Sequence, residues 1–242
     1  MTAHTVPGET TPDYEQNAFV AEPDASAVDL LDLFEPNPEQ LIAATGTIIE
    51  VTSDLALVKL IDGSTATMPI TEFYPNKRWS IGSTVHVVKL PIATTSRTIC
   101  STTRPELIEL LAAGVVPELR DGSVRIVRVA RQVGIRSKIA VAATIEGVDP
   151  VGAFVGRAAN RVAAMSRMLM GERVDIVAWN PEPHIFVTNA LGVRVDAIID
   201  TNRFIAIQVP EHQLAAAIGG GGLNAQLTAR ISGKRISITA SK

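Results

Sequence analysis

Four consecutive glycines, Gly219-Gly220-Gly221-Gly222, stand out in this 242-residue chain as a place where the backbone itself can do chemistry. Glycine loses more conformational freedom on folding than any other residue, about 0.5–1 kcal/mol relative to Ala in regular structure. A run of four therefore marks a position that needs a bare main chain. Ile218 precedes it, and Leu223, Leu227 and Ile231 follow at helical spacing, which argues against a plain linker. Backbone N–H groups just ahead of a helix N-terminus attract an anion. The expected ligand is a phosphate chain passing close to the main chain, as in the clamping of a single-stranded nucleic acid.

Other glycine-rich sites fit less well. A dinucleotide loop needs strand, loop, helix order with spaced glycines, whereas a helical segment, Glu211–Ile218, precedes this run. A nucleotide phosphate loop needs Gly-Lys followed by Ser or Thr, and Gly222 is followed by Leu223. His4, His86, His184 and His212 lack metal-ligand spacing, and Cys100 is the single cysteine, so no disulfide or cysteine-rich metal site can form within the chain. Glu211-His212 reads as a helix start. The expectation is a binding protein, not an enzyme, with no metal and no cofactor.

The elements that must hold the loop form a repeat. Residues 103–113 read as a helix, with Thr103 as N-cap, Pro105 in the first turn and Gly114 as stop. Strands at 122–131 and 136–143 follow, then Asp149-Pro150 and a short helix. Next come Gly156-Arg157-Ala158-Ala159, a helix to Met170 and a strand at Arg173–Ala178. The same order returns with a helix near 184–191, strands at 193–199 and 203–209, and a helix at 211–218. After the four glycines come a helix to Ile231 and a strand at Arg235–Thr239. Gly156 and Gly219 are 63 residues apart, and a twofold repeat of an α/β unit is the main organisational feature.

Ahead of the repeat, residues 41–102 contain five short β-rich runs separated by turn signals such as Asp62-Gly63-Ser64 and Ile81-Gly82-Ser83. That pattern predicts a small OB-type barrel. Its second strand, Leu55–Leu60, has no aromatic residue, and Phe73, Tyr74 and Trp79 sit in a connecting loop. Phe73 and Trp79 are read as barrel core in preference to base-stacking platforms. Residues 1–25 are polar and aperiodic and read as disordered. Residues 26–35, SAVDLLDLFE, resemble a short acidic amphipathic segment. The N-terminus has no signal-peptide pattern and the chain has no apolar run of membrane-spanning length, which leads to an expectation of a cytoplasmic protein.

Charge is uneven along the chain. Residues 1–43 hold nine acidic side chains and no Lys or Arg. From Arg120 to Lys242 there are sixteen Lys and Arg against nine Asp and Glu. A basic region in an acidic chain is an electrostatic footprint for nucleic acid.

Several stretches then carry a family resemblance. They are Gly134–Val141 (GIRSKIAV), Asp149–Gly156 (DPVGAFVG), Gly171–Trp179 (GERVDIVAW), Phe186–Leu191 (FVTNAL), and Ala217-Ile218-Gly219 leading to Gly222-Leu223-Asn224. In this order they resemble the NusA family of bacterial transcription elongation and termination factors, over about residues 44–242. The resemblance implies an α+β multidomain chain, with an OB-type barrel of the S-one kind followed by two tandem type II KH domains. The corresponding boundaries are 1–40 for an acidic, largely disordered segment, 41–102 for the barrel, 103–181 for the first KH domain and 182–242 for the second.

It further implies single-stranded RNA contact at Gly219, Gly220, Gly221, Gly222 and Asn224, and at Gly156, Arg157, Ala158 and Ala159. Physical reasoning adds Arg161 beside the first loop, and Arg136 and Lys138, which lie two apart on a strand and so share a face. RNA polymerase or other transcription factors are the implied protein partners, and the chain is expected to be monomeric. Three departures from the family stand out. An acidic segment of about forty residues precedes the barrel where the family carries a polymerase-contacting domain. Ala159 stands where the family pattern has Gly, which is expected to weaken the first cleft. Gly220 and Gly221 replace the basic or polar residues that such loops often carry. An alternative reading makes the KH pair a rigid scaffold and the acidic N-terminus the part that docks on a partner.

Overall fold

A computed structural model describes residues 18–22, 41–74, 77–90, 98–201 and 204–241. The amphipathic segment expected at 26–35 lies outside these residues. The described chain forms two compact units, one within Asp24–Pro181 and the other built from residues up to Pro23 together with Glu182–Lys242.

The first unit begins with a closed barrel of β2 (Ile42–Val51), β3 (Leu55–Leu60), β4 (Thr65–Pro69), β5 (Thr84–Leu90) and β6 (Thr98–Ser101), numbered after a short N-terminal strand described below. The barrel order is β2-β3-β4-β6-β5, closed by β2 on β5. Alternation along the strands turns Ile48, Ala56, Val58, Ala66, Met68, Val85 and Val87 inward. Phe73 and Trp79 stack at 4.8 Å and pack against this core, as their loop position suggested. Cys100 is buried in the same core. Burial, and then the carboxylate of Glu72, push its thiol up to about 12, so it stays protonated at neutral pH.

The first repeat follows with α1 (Glu106–Val115), α2 (Pro117–Arg120), β7 (Val124–Gln132), β8 (Arg136–Ala143), α3 (Pro150–Val155), α4 (Asn160–Met168) and β9 (Arg173–Ala178). β7 pairs antiparallel with β8, and β8 pairs parallel with β9. Val88 and Leu90 of the barrel join Leu107, Ile108 and Leu111 of α1, Ile139 and Val141 of β8, and Phe154 of α3 in one core.

A buried polar network fastens barrel to repeat. The Glu172 carboxylate, fully buried, accepts hydrogen bonds from Arg131 Nε at 2.9 Å and Nη2 at 2.9 Å, from the Gly134 N–H at 2.8 Å, and from the Ser137 hydroxyl. Arg131 also donates to the Thr102 carbonyl at 2.8 Å and to the Tyr74 hydroxyl at 2.9 Å. Burial alone would lower the Arg131 pKa, but Glu172 and Tyr74 overcome it and the guanidinium is held above its ordinary value. Burial raises the Tyr74 phenol. Nearby, Glu72 accepts from the Ser101 hydroxyl at 2.8 Å and from the main-chain N–H groups of Thr102 and Thr103 at 2.9 Å.

The second unit repeats the motif with α5 (Pro183–Leu191), β10 (Ala197–Asp200), β11 (Phe204–Val209), α6 (Glu211–Ile218), α7 (Leu223–Ser232) and β12 (Arg235–Ala240). β10 and β11 are antiparallel, and β11 and β12 are parallel, as in the first repeat. The expected strand at 193–199 starts later, at Ala197. The expectation of disorder across residues 1–25 requires a correction. β1 (Phe19–Ala21) is a strand, paired antiparallel with β12. Among the described residues no helix is long and apolar enough to cross a membrane.

Candidate nucleic-acid interface

Each repeat places its loop between two short helices. The first helix is started by a clear local signal in the first repeat: the Asp149 side chain accepts from the Val151 N–H at 3.0 Å, with Pro150 at the first helical position. α3 then ends on Gly156, at φ 75° and ψ 171°, and α6 ends on Gly219, at φ 77° and ψ 165°. A single 3-10 turn follows in each case before α4 or α7 starts. The third loop residues are Ala158 (φ 50°) and Gly221 (φ 61°), and the fourth are Ala159 (φ 59°) and Gly222 (φ 77°). The turns close alike: the Ala159 N–H donates to the Gly156 carbonyl at 3.1 Å and the Gly222 N–H to the Gly219 carbonyl at 3.0 Å.

The two loops therefore share one backbone path despite different sequences. Ala159 does not open the first loop, but takes the left-handed conformation that its Cβ opposes. For a non-glycine residue that conformation costs about 1–2 kcal/mol. Ala158→Gly and Ala159→Gly are each expected to stabilise the first unit by about 0.5–1 kcal/mol, after the entropy that glycine loses on folding. Urea unfolding of each variant checks this, and an unchanged midpoint would show that the strain relieved does not exceed the entropy glycine loses.

Space around the glycines differs by position. A Cβ on Gly219 would collide with Asn224, and one on Gly222 with the Phe19 ring, whereas Gly220 and Gly221 face open space. Gly220 and Gly221 are exposed, as are Arg157, Ala158 and Ala159. These five residues present themselves outward at the two loop tips.

The remaining expected contact residues are disposed differently. Asn224 is 2% exposed, and its amide donates to the carbonyls of Ala217 (3.0 Å), Leu191 (3.1 Å) and Ala216 (3.2 Å). It ties α7 to the ends of α5 and α6 and so holds the loop from behind, buried where the resemblance implied an RNA contact. Lys138 is also 2% exposed and lies 3.5 Å from Asp175, so the expected contact residue is instead a buried support. Burial lowers its ammonium pKa to about 8, against the opposing pull of Asp175. Arg136 shares that face as expected, but its guanidinium binds Asp175 at 2.5 Å. Burial alone would raise Asp175, and the cations Lys138 and Arg136 hold it below its ordinary value. Arg161 donates to Glu118 at 2.8 Å and to the Ala153 carbonyl at 2.5 Å, which fixes it against α2 and α3.

Sequence reasoning missed Arg173. It pairs with Asp175 at 3.0 Å, yet its side chain is 69% exposed on β9. With Arg136 and Lys138 it makes three cations around one carboxylate. The signal was present, since Arg173 and Asp175 lie two apart on a strand and share a face.

Residues 102–179 match the NusA-like first KH domain. The chain is 38% identical over 182 residues to the transcription termination/antitermination protein NusA of Mycobacterium tuberculosis H37Rv, covering 72% of this chain and 52% of that protein. Its identity to the Bacillus subtilis protein of the same name is 37% over 179 residues, 72% of this chain and 48% of the relative. With the Thermus thermophilus counterpart it is 32% over 174 residues, 69% and 45%. The chain thus spans about half the length of the curated relatives it matches.

Proposed function

This is a NusA-like chain, with a five-stranded barrel and a NusA-like first KH domain, and from that premise we propose that it binds single-stranded RNA through both KH loops and acts in transcription elongation, termination or antitermination. The observation that carries the reading is the pair of loops with matching dihedral angles, each opening onto a helix N-terminus. Such a turn offers main-chain donors and the positive end of a helix dipole to phosphate. The same reading takes 41–102 as the barrel module, 103–181 as the first KH domain and 182–242 as the second. Gly219, Gly220, Gly221 and Gly222 form one clamp, and Gly156, Arg157, Ala158 and Ala159 the other. Asn224, Lys138 and Arg161 serve as supports behind them, while Arg136 adds positive potential at β8. RNA polymerase or other transcription factors are the proposed protein partners.

Fluorescence anisotropy with a labelled 20-nucleotide single-stranded RNA tests the reading. Phosphate neutralisation releases counterions, so affinity should fall linearly in log–log form with salt. For three or four phosphates the expected loss is about 20- to 50-fold between 50 and 200 mM salt. Absence of binding at 50 mM, or binding indifferent to salt, would sink the proposal.

A further inference from the structure

The two repeats differ at one edge. β9 is the outer strand of the first sheet, whose order is β7-β8-β9, and among the described residues no strand pairs with its outer edge. β12 is its counterpart in the second sheet, lying parallel to its neighbour and following the helix after the loop. There the sheet continues as β10-β11-β12-β1. Phe19 lies opposite Ile238, Val20 opposite Ser237, and Ala21 opposite Ile236.

This short strand does more than extend a sheet. The Phe19 ring lies where a Cβ on Gly222 would be, against the closing glycine of the loop. Ala21 is 2% exposed and Phe19 packs against the same apolar core. Glu22 accepts from Arg235 Nε at 3.0 Å, at the start of β12. The segment thereby covers the loop's final glycine, the strand edge and an exposed guanidinium. Bare loop backbone, edge N–H groups and a cation are what a single strand of nucleic acid would use.

We propose that Phe19–Glu22 is an internal competitor for the RNA groove of the second KH repeat, so that RNA and this strand take turns on the edge of β12. The proposal rests on the RNA-binding reading above. Strand addition to an exposed edge is a general mode of peptide recognition. Here the peptide is tethered to its site, which raises its local concentration without requiring a strong contact. The contact itself is slight: three paired residues and an exposed ion pair that contributes little. A weak tethered occupant can be displaced by a ligand that gains more. Occupancy of the groove for nine-tenths of the time would weaken apparent RNA affinity by about tenfold. The mere edge protection that proteins give exposed strands would leave RNA affinity unaltered, and this separates the two roles.

The test uses the full chain and the labelled 20-nucleotide single-stranded RNA. Phe19→Ser should bind about five- to tenfold more tightly than the parent if the docked strand dominates the free protein. A second variant joins Val20→Cys to Ser237→Cys at facing positions. Antiparallel partners stand about 4.5 or 5.5 Å apart at Cα, and both spacings permit a disulfide. The native Cys100 is buried and stays out of the exchange. The oxidised form should lose the second repeat's share of RNA binding and regain it on reduction. Equal affinity of Phe19→Ser and parent, or of oxidised and reduced forms, overturns the competition while leaving RNA binding in place. Weaker binding by Phe19→Ser also overturns it and makes the ring part of the RNA platform. If the parent, Phe19→Ser and the reduced form are all folded by circular dichroism and none binds, the RNA-binding reading itself fails, and the competition with it.

Discussion

Replacing Gly220 and Gly221 together by Asp is expected to weaken single-stranded RNA binding by the full chain at least 30-fold, about 2 kcal/mol. Neither substitution meets a steric obstacle, because a Cβ at either position has nothing within 4 Å. Gly221 has φ 61°, and Asp tolerates that region better than most residues. The fold should therefore persist, with an unchanged circular dichroism spectrum, while two carboxylates occupy the path proposed for phosphate. At a few ångströms, like charges near a protein surface repel by several kcal/mol at most, and salt screens part of that. The companion variant Gly220→Lys has the opposite sign. It adds a cation at the same open position and should tighten binding several-fold, with a steeper salt dependence. Parent-like affinity in the double Asp variant would move the principal RNA contact away from the second loop. Any residual binding then measures the first loop, where Arg157 is exposed.

The second large effect concerns stability. Arg131→Met should destabilise the barrel and first repeat by about 3–5 kcal/mol, because it leaves the Glu172 carboxylate buried without its countercharge. Glu172 is 0% exposed, so water cannot replace the guanidinium without local opening. The same change removes donors from the Thr102 carbonyl and the Tyr74 hydroxyl. The chain contains two tryptophans, Trp79 and Trp179, and both belong to this unit. Intrinsic fluorescence during urea unfolding consequently reports on this unit selectively. Combining Arg131→Met with Glu172→Gln should recover part of the loss. The neutral amide keeps an acceptor for the Gly134 N–H and removes the uncompensated charge. A double variant as unstable as Arg131→Met alone would assign the effect to packing and not to the buried charge.

Much of the architecture was legible because its signals are local. The barrel strands announced themselves by alternation and turn residues. The helix starts followed from residues such as Asp149-Pro150, whose side chain and ring act within one turn. The loops were legible for the same reason, since glycine at φ near +77° is a requirement of the backbone at that point. The sixty-three-residue spacing of Gly156 and Gly219 identified the repeat without any long-range information.

What the chain alone could not reveal depends on distant partners. Alternation placed Arg136 and Lys138 on one side of β8, but it cannot say which end of a pair is buried. The packing around Asp175, thirty-seven residues beyond Lys138, decides that. Asn224 was legible as a loop residue, yet its orientation depends on carbonyls at the ends of α5 and α6. Ala158 and Ala159 read as a weakened loop, whereas the packed helices on either side impose the left-handed path that their own preferences disfavour. Arg131 and Glu172 meet across forty-one positions, and no periodicity links them. Phe19-Val20-Ala21 is the clearest case. Three apolar residues in a polar, acidic stretch carry no strand signal of their own. They become a strand because β12 presents unpaired main-chain groups, and because Gly222, lacking a Cβ, leaves room for the Phe19 ring. Local signals along the chain specify the barrel strands, the repeated α/β order and the bare-backbone loops. Tertiary structure decided which cations face outward and what covers the second loop, because burial and edge pairing arise only when segments far apart in the chain meet.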